Sequence, residues 1–442
     1  MVSTILKNTP VSGHRLSSVV PGEVTGEAKD RELTNLDLAL KLHYVRGVYF
    51  FRSEAVQGLT INDLKEPMFP WLALYPTTSG RIRRSQATGR PFIKCNDGGV
   101  RIVEAECDQT LEEWLAANDH QYSLDSFLVH HQVLGPDLGF SPLVFIQLTW
   151  FKCGGICIGL SWSHVLGDPF SASAFMNSWG QIMEGHVPST PLQVPNHKVP
   201  KNPPSQTPRK PSSPKQVEPV GDHWVTANNC KMETLSIHFT AKQLDNIVSD
   251  DCGGLDRVAN ISQFHLLSAI IWKSLSKVRG DSGPRTVTIC ARNSPPSEHE
   301  DPRNDVVFSV VRADFSVAKC GVYELAELIA EKQEEEDGLI EEMMMGDQDG
   351  KLEDYIVYGA NLTFVNLEGA NVYGLELKGH KPAQASYTIE GVGDEGAVLV
   401  LPGPESGSKS SDAGRTVTLI LPENQLTKLT NELREKIGVS VN

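Results

Sequence analysis

The segment Ser163-His164-Val165-Leu166-Gly167-Asp168 sets an imidazole four positions ahead of a carboxylate. Histidine is the side chain whose ordinary pKa lets it take and return a proton near neutrality, so His164 is the first candidate for a general base. A base of that kind removes the proton of a hydroxyl or amine as that group attacks an electrophilic carbon. Asp168 has a second, structural reading. It precedes Pro169, and Ser171, Phe175 and Trp179 follow at helical spacing, so it also reads as an N-cap with proline at the first helical position. On spacing alone His164 is either a working base or a structural histidine.

The elements around it must hold the ring. Leu143, Phe145, Gln147 and Thr149 alternate with Val144, Ile146, Leu148 and Trp150, which reads as a strand. Cys153, Gly154 and Gly155 supply a turn, and Ile156, Ile158, Leu160 and Trp162 share one face of a return strand. His164 continues that parity and so leaves the strand on its apolar side. Competing chemistries lack their motifs: there is no Gly-rich phosphate loop, no GxSxG elbow and no HExxH. Cys153, Cys157 and His164 form no CxxC pair, and Cys157 sits between Ile156 and Ile158 as a small buried residue, so no metal site is expected.

The chain has 442 residues, 40% of them hydrophobic, which is too long for one core and enough for two. Its 40 Lys and Arg against 55 Asp and Glu give a formal charge of −15, which argues against nucleic acid as a partner. The opening MVSTILKNTPVSGHR lacks an apolar h-region and is read as carrying no secretory signal. The most apolar stretch, Leu143 to Trp162, is broken by Gln147, Lys152 and a glycine pair, so no transmembrane segment is expected. The eight scattered cysteines read as reduced thiols.

Between Gly185 and Trp224 prolines mix with Ser, Lys and Gln, a composition that neither pairs as sheet nor continues as helix; it reads as an extended crossover. This divides the chain into residues 1–185, a crossover at 186–223, and residues 224–442. Leu36, Leu40, Tyr44 and Val48 suggest a helix opening after Thr34 or Asn35. Ala326 to Glu342 reads as one amphipathic helix whose acidic run, Glu334 to Asp337, is solvated. Val307 to Val311 and Val398 to Leu401 read as buried strands, and Gly403 to Gly414 as a mobile surface loop.

With these features in place, the sequence resembles the BAHD acyltransferase family over most of its length. SHVLGD corresponds to the family's HxxxD; LTNLDLALKLHYVRGVYFF resembles its opening helix, LYPTTSGRI its YPLAGR segment, and FHLLSAIIWKSLSKVRG its helix with an Ala-x-x-Trp core. The resemblance implies an α/β fold of two similarly folded acyltransferase-like domains with mixed sheets, joined by the Pro-rich crossover. It further implies a channel admitting acyl-CoA from one side and an alcohol or amine from the other. His164 would then be the base, and Asp168 would pair with Arg292 of ICARNSPP and orient the loop; no metal or permanently bound cofactor is implied, and no CoA-contacting residue is assigned.

The departures are informative. The family's DFGWGKP aligns with ELKGHKP, so large aromatic packing is gone and Lys378 stands where a glycine would; the glycine usual after the HxxxD aspartate is Pro169. A reshaped channel is expected. These changes, with RLSSVVPGEV, FKCGGICIGLSWSHVLGD, YGANLTFVNL and YTIEGVGDEGAVLV, are similar to the Eceriferum/Glossy branch of the family. That likeness implies an accessory factor in cuticular wax formation. Such a factor promotes very-long-chain acyl-CoA elongation with a ketoacyl-CoA synthase at the cytoplasmic face of the endoplasmic reticulum, without acyl transfer of its own. The alternative is a CoA-dependent acyltransferase with His164 as general base.

Overall fold

A computed structural model describes residues 10–26, 29–118, 124–186, 210–244, 261–280, 283–292, 301–345, 353–404 and 414–437. Its frame is two mixed β-sheets. The first runs in the order Val11–Val19, Val100–Cys107, Val144–Phe151, Ile156–Ser163, Tyr44–Phe51 and Gln384–Glu390, all antiparallel neighbours except the parallel pair Val100–Cys107 and Val144–Phe151. The second runs Met232–Phe239, Arg415–Pro422, Ala397–Pro402, Leu362–Asn366, Thr286–Arg292, Val306–Arg312 and Glu334–Glu335. The chain is thus α/β with a sheet in each half, as expected, and one strand of the later half completes the earlier sheet.

Why these strands form is plain from their residues. The hairpin Val144–Phe151 and Ile156–Ser163 is covered on both faces, so it reads as a nearly continuous apolar run. The helix Pro169–Met183 follows Asp168, whose carboxylate accepts from the Ser171 N–H as the N-cap reading requires. That helix is pinned by aromatic rings: Trp71 stacks on Phe175 with centroids 4.0 Å apart, and the Trp71 indole N–H donates to the Phe175 carbonyl at 3.0 Å. One apolar core runs through the seam, since Cys290, Phe308 and Tyr358 pack in the same cluster as Trp162, Val165 and Phe175. A second cluster, built on the helix Gln263–Arg279 and the strands it covers, belongs to the later half alone.

Three expectations are corrected. The helix after Thr34 spans only Asn35–Ala39, and Tyr44–Phe51 is a strand buried at every position. A strand covered on both faces has no polar side to reveal its period, so Tyr44 and Val48 only mimicked a helical spacing. The single helix over Ala326 to Glu342 is two, Val322–Glu331 and Asp337–Met345, separated by Glu334–Glu335 pairing with Val310 and Ser309. Nor is the acidic run merely solvated: Glu336 is buried, and its carboxylate accepts the N–H groups of Ser212 and Ser213. Lastly, the Pro-rich crossover does contain paired sheet. Lys215–Val217, free of proline between Pro214 and Pro219, pairs with Asp354–Ile356. Residues 187–209 of the crossover, and 405–413 of the glycine- and serine-rich loop, lie outside the described residues.

Candidate functional site

The strand Ile156–Ser163 ends where the second sheet meets it, and His164 opens the short 3-10 turn His164–Leu166 that leads to Asp168. Antiparallel pairing sets Tyr44 against Ser163, which places His43 beside His164 across the ladder; the His164 N–H donates to the His43 carbonyl at 3.2 Å. His164 is fully buried. Its Nδ1 lies 3.0 Å from Asn304 Oδ1 and its Nε2 3.2 Å from the Tyr358 hydroxyl.

The tautomer follows from the partners. Asn304 Nδ2 is committed as a donor, to Asp37 Oδ1 at 2.7 Å and to the His164 carbonyl at 2.9 Å. Its Oδ1 therefore accepts, His164 carries its proton on Nδ1, and Nε2 presents a lone pair. That is the tautomer a general base requires. The lone pair is already engaged, because the Tyr358 phenol donates to it. Tyr358 is itself fully buried, with its ring edge-on to His43 at 4.9 Å and to Phe308 at 5.7 Å, and Cys290 Sγ 3.7 Å from its oxygen. The His43 ring accepts the Val357 N–H at Nε2, 3.1 Å away, which locks the phenol's own backbone in place.

Burial dominates the electrostatics. Desolvation lowers His164 to about 4, against the opposing pull of Asn304 and Asp37. Desolvation, and then the neighbouring His164, bring His43 to about 3, opposed by the Gly391 carbonyl. Burial pushes the Tyr358 hydroxyl well above its ordinary value. At neutral pH the rings are neutral and the phenol keeps its proton.

Asp168 makes its hydrogen bonds and ion pair with other groups. It is fully buried; one oxygen caps the helix, the other accepts the Asp305 N–H at 3.0 Å, and Arg292 Nη1 lies 3.5 Å from Oδ1. The Arg292 guanidinium also reaches Asp305 at 3.4 Å and lies over the Phe170 ring at 5.4 Å. Burial raises the Asp168 carboxyl, while Arg292 and the two N–H groups pull it down. The arrangement orients: Asp168 fixes Asp305, whose neighbour Asn304 fixes the His164 ring.

The degenerate ELKGHKP folds as a two-residue turn, with Lys378 and Gly379 both at positive φ and Leu377 and His380 exchanging backbone hydrogen bonds. Lys378 Nζ donates to the Gln57 carbonyl at 2.9 Å. Leu377 is buried, and the loop lies against Gly180 of the helix Pro169–Met183, where a Cβ would stand 2.8 Å from the Glu376 oxygen. Cys157 is buried and Cys153 exposed; among the described residues no group of three or more His, Cys, Asp or Glu is placed to hold a metal ion. A cavity of about 430 Å³ lies elsewhere along the seam, lined by Leu42, Tyr44, Arg46, Glu390, Gly391 and Val392 among others; His164 is not part of its wall.

Of the residues expected from the sequence, Asp168 and Arg292 come together and His164 joins a separate row with Asn304, Asp37 and Tyr358 beside His43, four residues that no local spacing signals. Tyr358 lies in YGANLTFVNL and His43 in LHYVRGVYFF, segments whose placement against His164 depends on strand register and on contacts more than 190 positions apart for Tyr358.

The chain matches the Transferase family over residues 10–292. It is 42% identical over 443 residues to Protein ECERIFERUM 2 of Arabidopsis thaliana, covering 98% of this chain and 100% of that one. To Protein ECERIFERUM 26 of the same plant it is 39% identical over 446 residues, with 96% of each covered. Among solved structures, vinorine synthase superposes with a TM-score of 0.68 at 19% identity, over 97% of this chain and 98% of that one. TRI101 of F. graminearum, complexed with coenzyme A and deoxynivalenol, gives 0.69 at 15% identity, over 91% and 97%. At these identities the two structures show a shared fold. Among the described residues no helix is long and apolar enough to cross a membrane.

Proposed function

Because the chain belongs to the Transferase (BAHD) family and has ECERIFERUM proteins among its relatives, we propose that it is a wax-related accessory factor. It promotes very-long-chain acyl-CoA elongation by a ketoacyl-CoA synthase at the cytoplasmic face of the endoplasmic reticulum, without acyl transfer of its own. One observation carries this reading: the Nε2 lone pair of His164, where an acceptor hydroxyl would have to bind, is taken by the buried Tyr358 phenol. A transferase offers that lone pair to its substrate. Here the base is assembled and capped from within the fold, and the decayed ELKGHKP turn points the same way. On this reading His164, Asp168 and Arg292 are kept because they hold the seam between the sheets together.

A second reading has support in the tautomer, since Nδ1–H pointing at Asn304 leaves the nitrogen that a base uses. In it the chain is a CoA-dependent acyltransferase and His164 deprotonates an alcohol or amine. Purified protein given acyl-CoAs with a panel of alcohols and amines separates the two. The accessory reading expects no His164-dependent loss of thioester, while co-expression with the synthase lengthens the acyl products made. Turnover abolished by His164→Ala would establish the second reading instead.

A further inference from the structure

Resting on the reading that the native chain does not use His164, the geometry points to the reason. We propose that the Tyr358 side chain is the partition that silences an otherwise competent base, and that removing it releases a latent His164-dependent hydrolysis of acyl-CoA thioesters.

Three features support this. The base is complete apart from its substrate position: Asn304 holds the Nδ1 proton, Asp37 holds Asn304, and Asp168 holds the adjoining Asp305. Nothing in that row depends on the phenol, so its removal leaves the tautomer intact. Second, the phenol occupies hydrogen-bonding distance of Nε2, the position an attacking oxygen needs. Third, space lies close behind it. Leu42 and Gly391 line the 430 Å³ cavity and bracket His43, the one adjoining it in sequence and the other facing it with its carbonyl. Val392 lines the same cavity, and the next residue, Gly393, donates its N–H to the Tyr358 carbonyl at 2.9 Å. Residues adjoining His43 in sequence or facing its ring thus line that cavity, while His43 and Tyr358 themselves are not part of its wall. A cavity of this size falls within the range of sites for small organic ligands, roughly 300–1,000 Å³.

With the ring gone, water can reach Nε2. The imidazole takes a proton from the water, whose oxygen bonds to the thioester carbonyl carbon. The C–S bond then breaks, and the imidazolium returns its proton to the departing thiolate, giving a fatty acid and free CoA. No oxidant, reductant or metal enters the balance.

The test uses the purified full-length chain with palmitoyl-CoA, release of CoA thiol being followed with a thiol-reactive chromophore. It compares the native chain, Tyr358→Phe, Tyr358→Ala and the double variant Tyr358→Ala with His164→Ala. Carbethoxylation of His164 by diethyl pyrocarbonate, located by peptide mass, reads access to Nε2 independently. The native chain and Tyr358→Phe, which keep the ring, should match the double variant in thiol release. Tyr358→Ala should exceed it at least tenfold and should carbethoxylate at His164. If the alanine variant does not fold, Tyr358→Leu keeps apolar packing, vacates the phenol end and carries the same comparison. A folded variant with neither thiol release nor modification overturns the partition and leaves the accessory reading standing. His164-dependent release by the native chain overturns the accessory reading instead.

Discussion

At the scale of single residues, neutrality of two buried imidazoles is a stability device with a definite pH window. His164 at about 4 and His43 at about 3 stand below the ordinary histidine value of 6.5, so the unfolded chain binds their protons first. Their contribution is fully present above pH 6.5 and is lost as pH falls toward 4 for His164 and toward 3 for His43, by about 1.4 kcal/mol per pH unit for each group. Thermal midpoints measured from pH 7.5 to 5 should fall less steeply in His164→Ala than in the native chain, since one of the two protons is no longer exchanged. An equal slope would contradict the burial of a neutral ring. Asp168 acts through structure. Asp168→Ala removes a helix cap, orphans the Asp305 N–H and strips Arg292 of one of its two carboxylates, for a loss of about 3–5 kcal/mol in denaturant unfolding. Asp168→Asn, which keeps the cap acceptor, should lose less. The N-cap, the apolar-side parity of His164 and the Asp168–Arg292 pairing were all legible in local spacing or family likeness. Tyr358 was not, because a hydrogen bond between residues so distant in sequence leaves no local pattern.

At the scale of elements, the turn that replaces the family's aromatic signature is held by a close approach rather than by bulk. Gly180, inside the helix Pro169–Met183, lets the Glu376 backbone come near enough that a Cβ would stand 2.8 Å from its oxygen. Helix propensity favours Gly180→Ala by about 1 kcal/mol, yet the neighbour struck is backbone, and overpacking of this kind costs about 1–3 kcal/mol. Urea unfolding of Gly180→Ala should show a net loss, and a net gain would mean that the loop yields freely. The hairpin Val144–Phe151 and Ile156–Ser163 was readable because a turn carrying glycines separates two apolar runs of strand length. Tyr44–Phe51 was misread, because burial on both faces erases the period-2 signal. The split of the acidic helix was invisible too, since its cause is an acceptor role for Glu336 toward Ser212 and Ser213, more than 120 positions away.

At the scale of the whole molecule, the two halves are interlocked rather than merely joined. Gln384–Glu390 pairs along the full length of Tyr44–Phe51, Arg46 is salt-bridged to Glu390, and Lys41 to Asp354. Residues 1–185 expressed alone would expose that strand edge and bury Arg46 without its carboxylate. They should be insoluble or unfolded by circular dichroism, whereas a stable folded fragment would show the halves to be independent. Composition led to an expectation of two cores and proline content to one of a crossover, but neither shows that a strand of the later half joins the earlier sheet or that one apolar cluster runs through both halves; such exchange is a property of assembled sheets. The function turns on what the molecule does with the base lying in its seam. The most direct measurement is the acyl-chain profile of cells making long chains, with the ketoacyl-CoA synthase expressed alone, with the native chain, and with His164→Ala. His164→Ala, present at native level and folded, is expected to lengthen the products as the native chain does. Loss of the longer products in that variant would contradict this expectation.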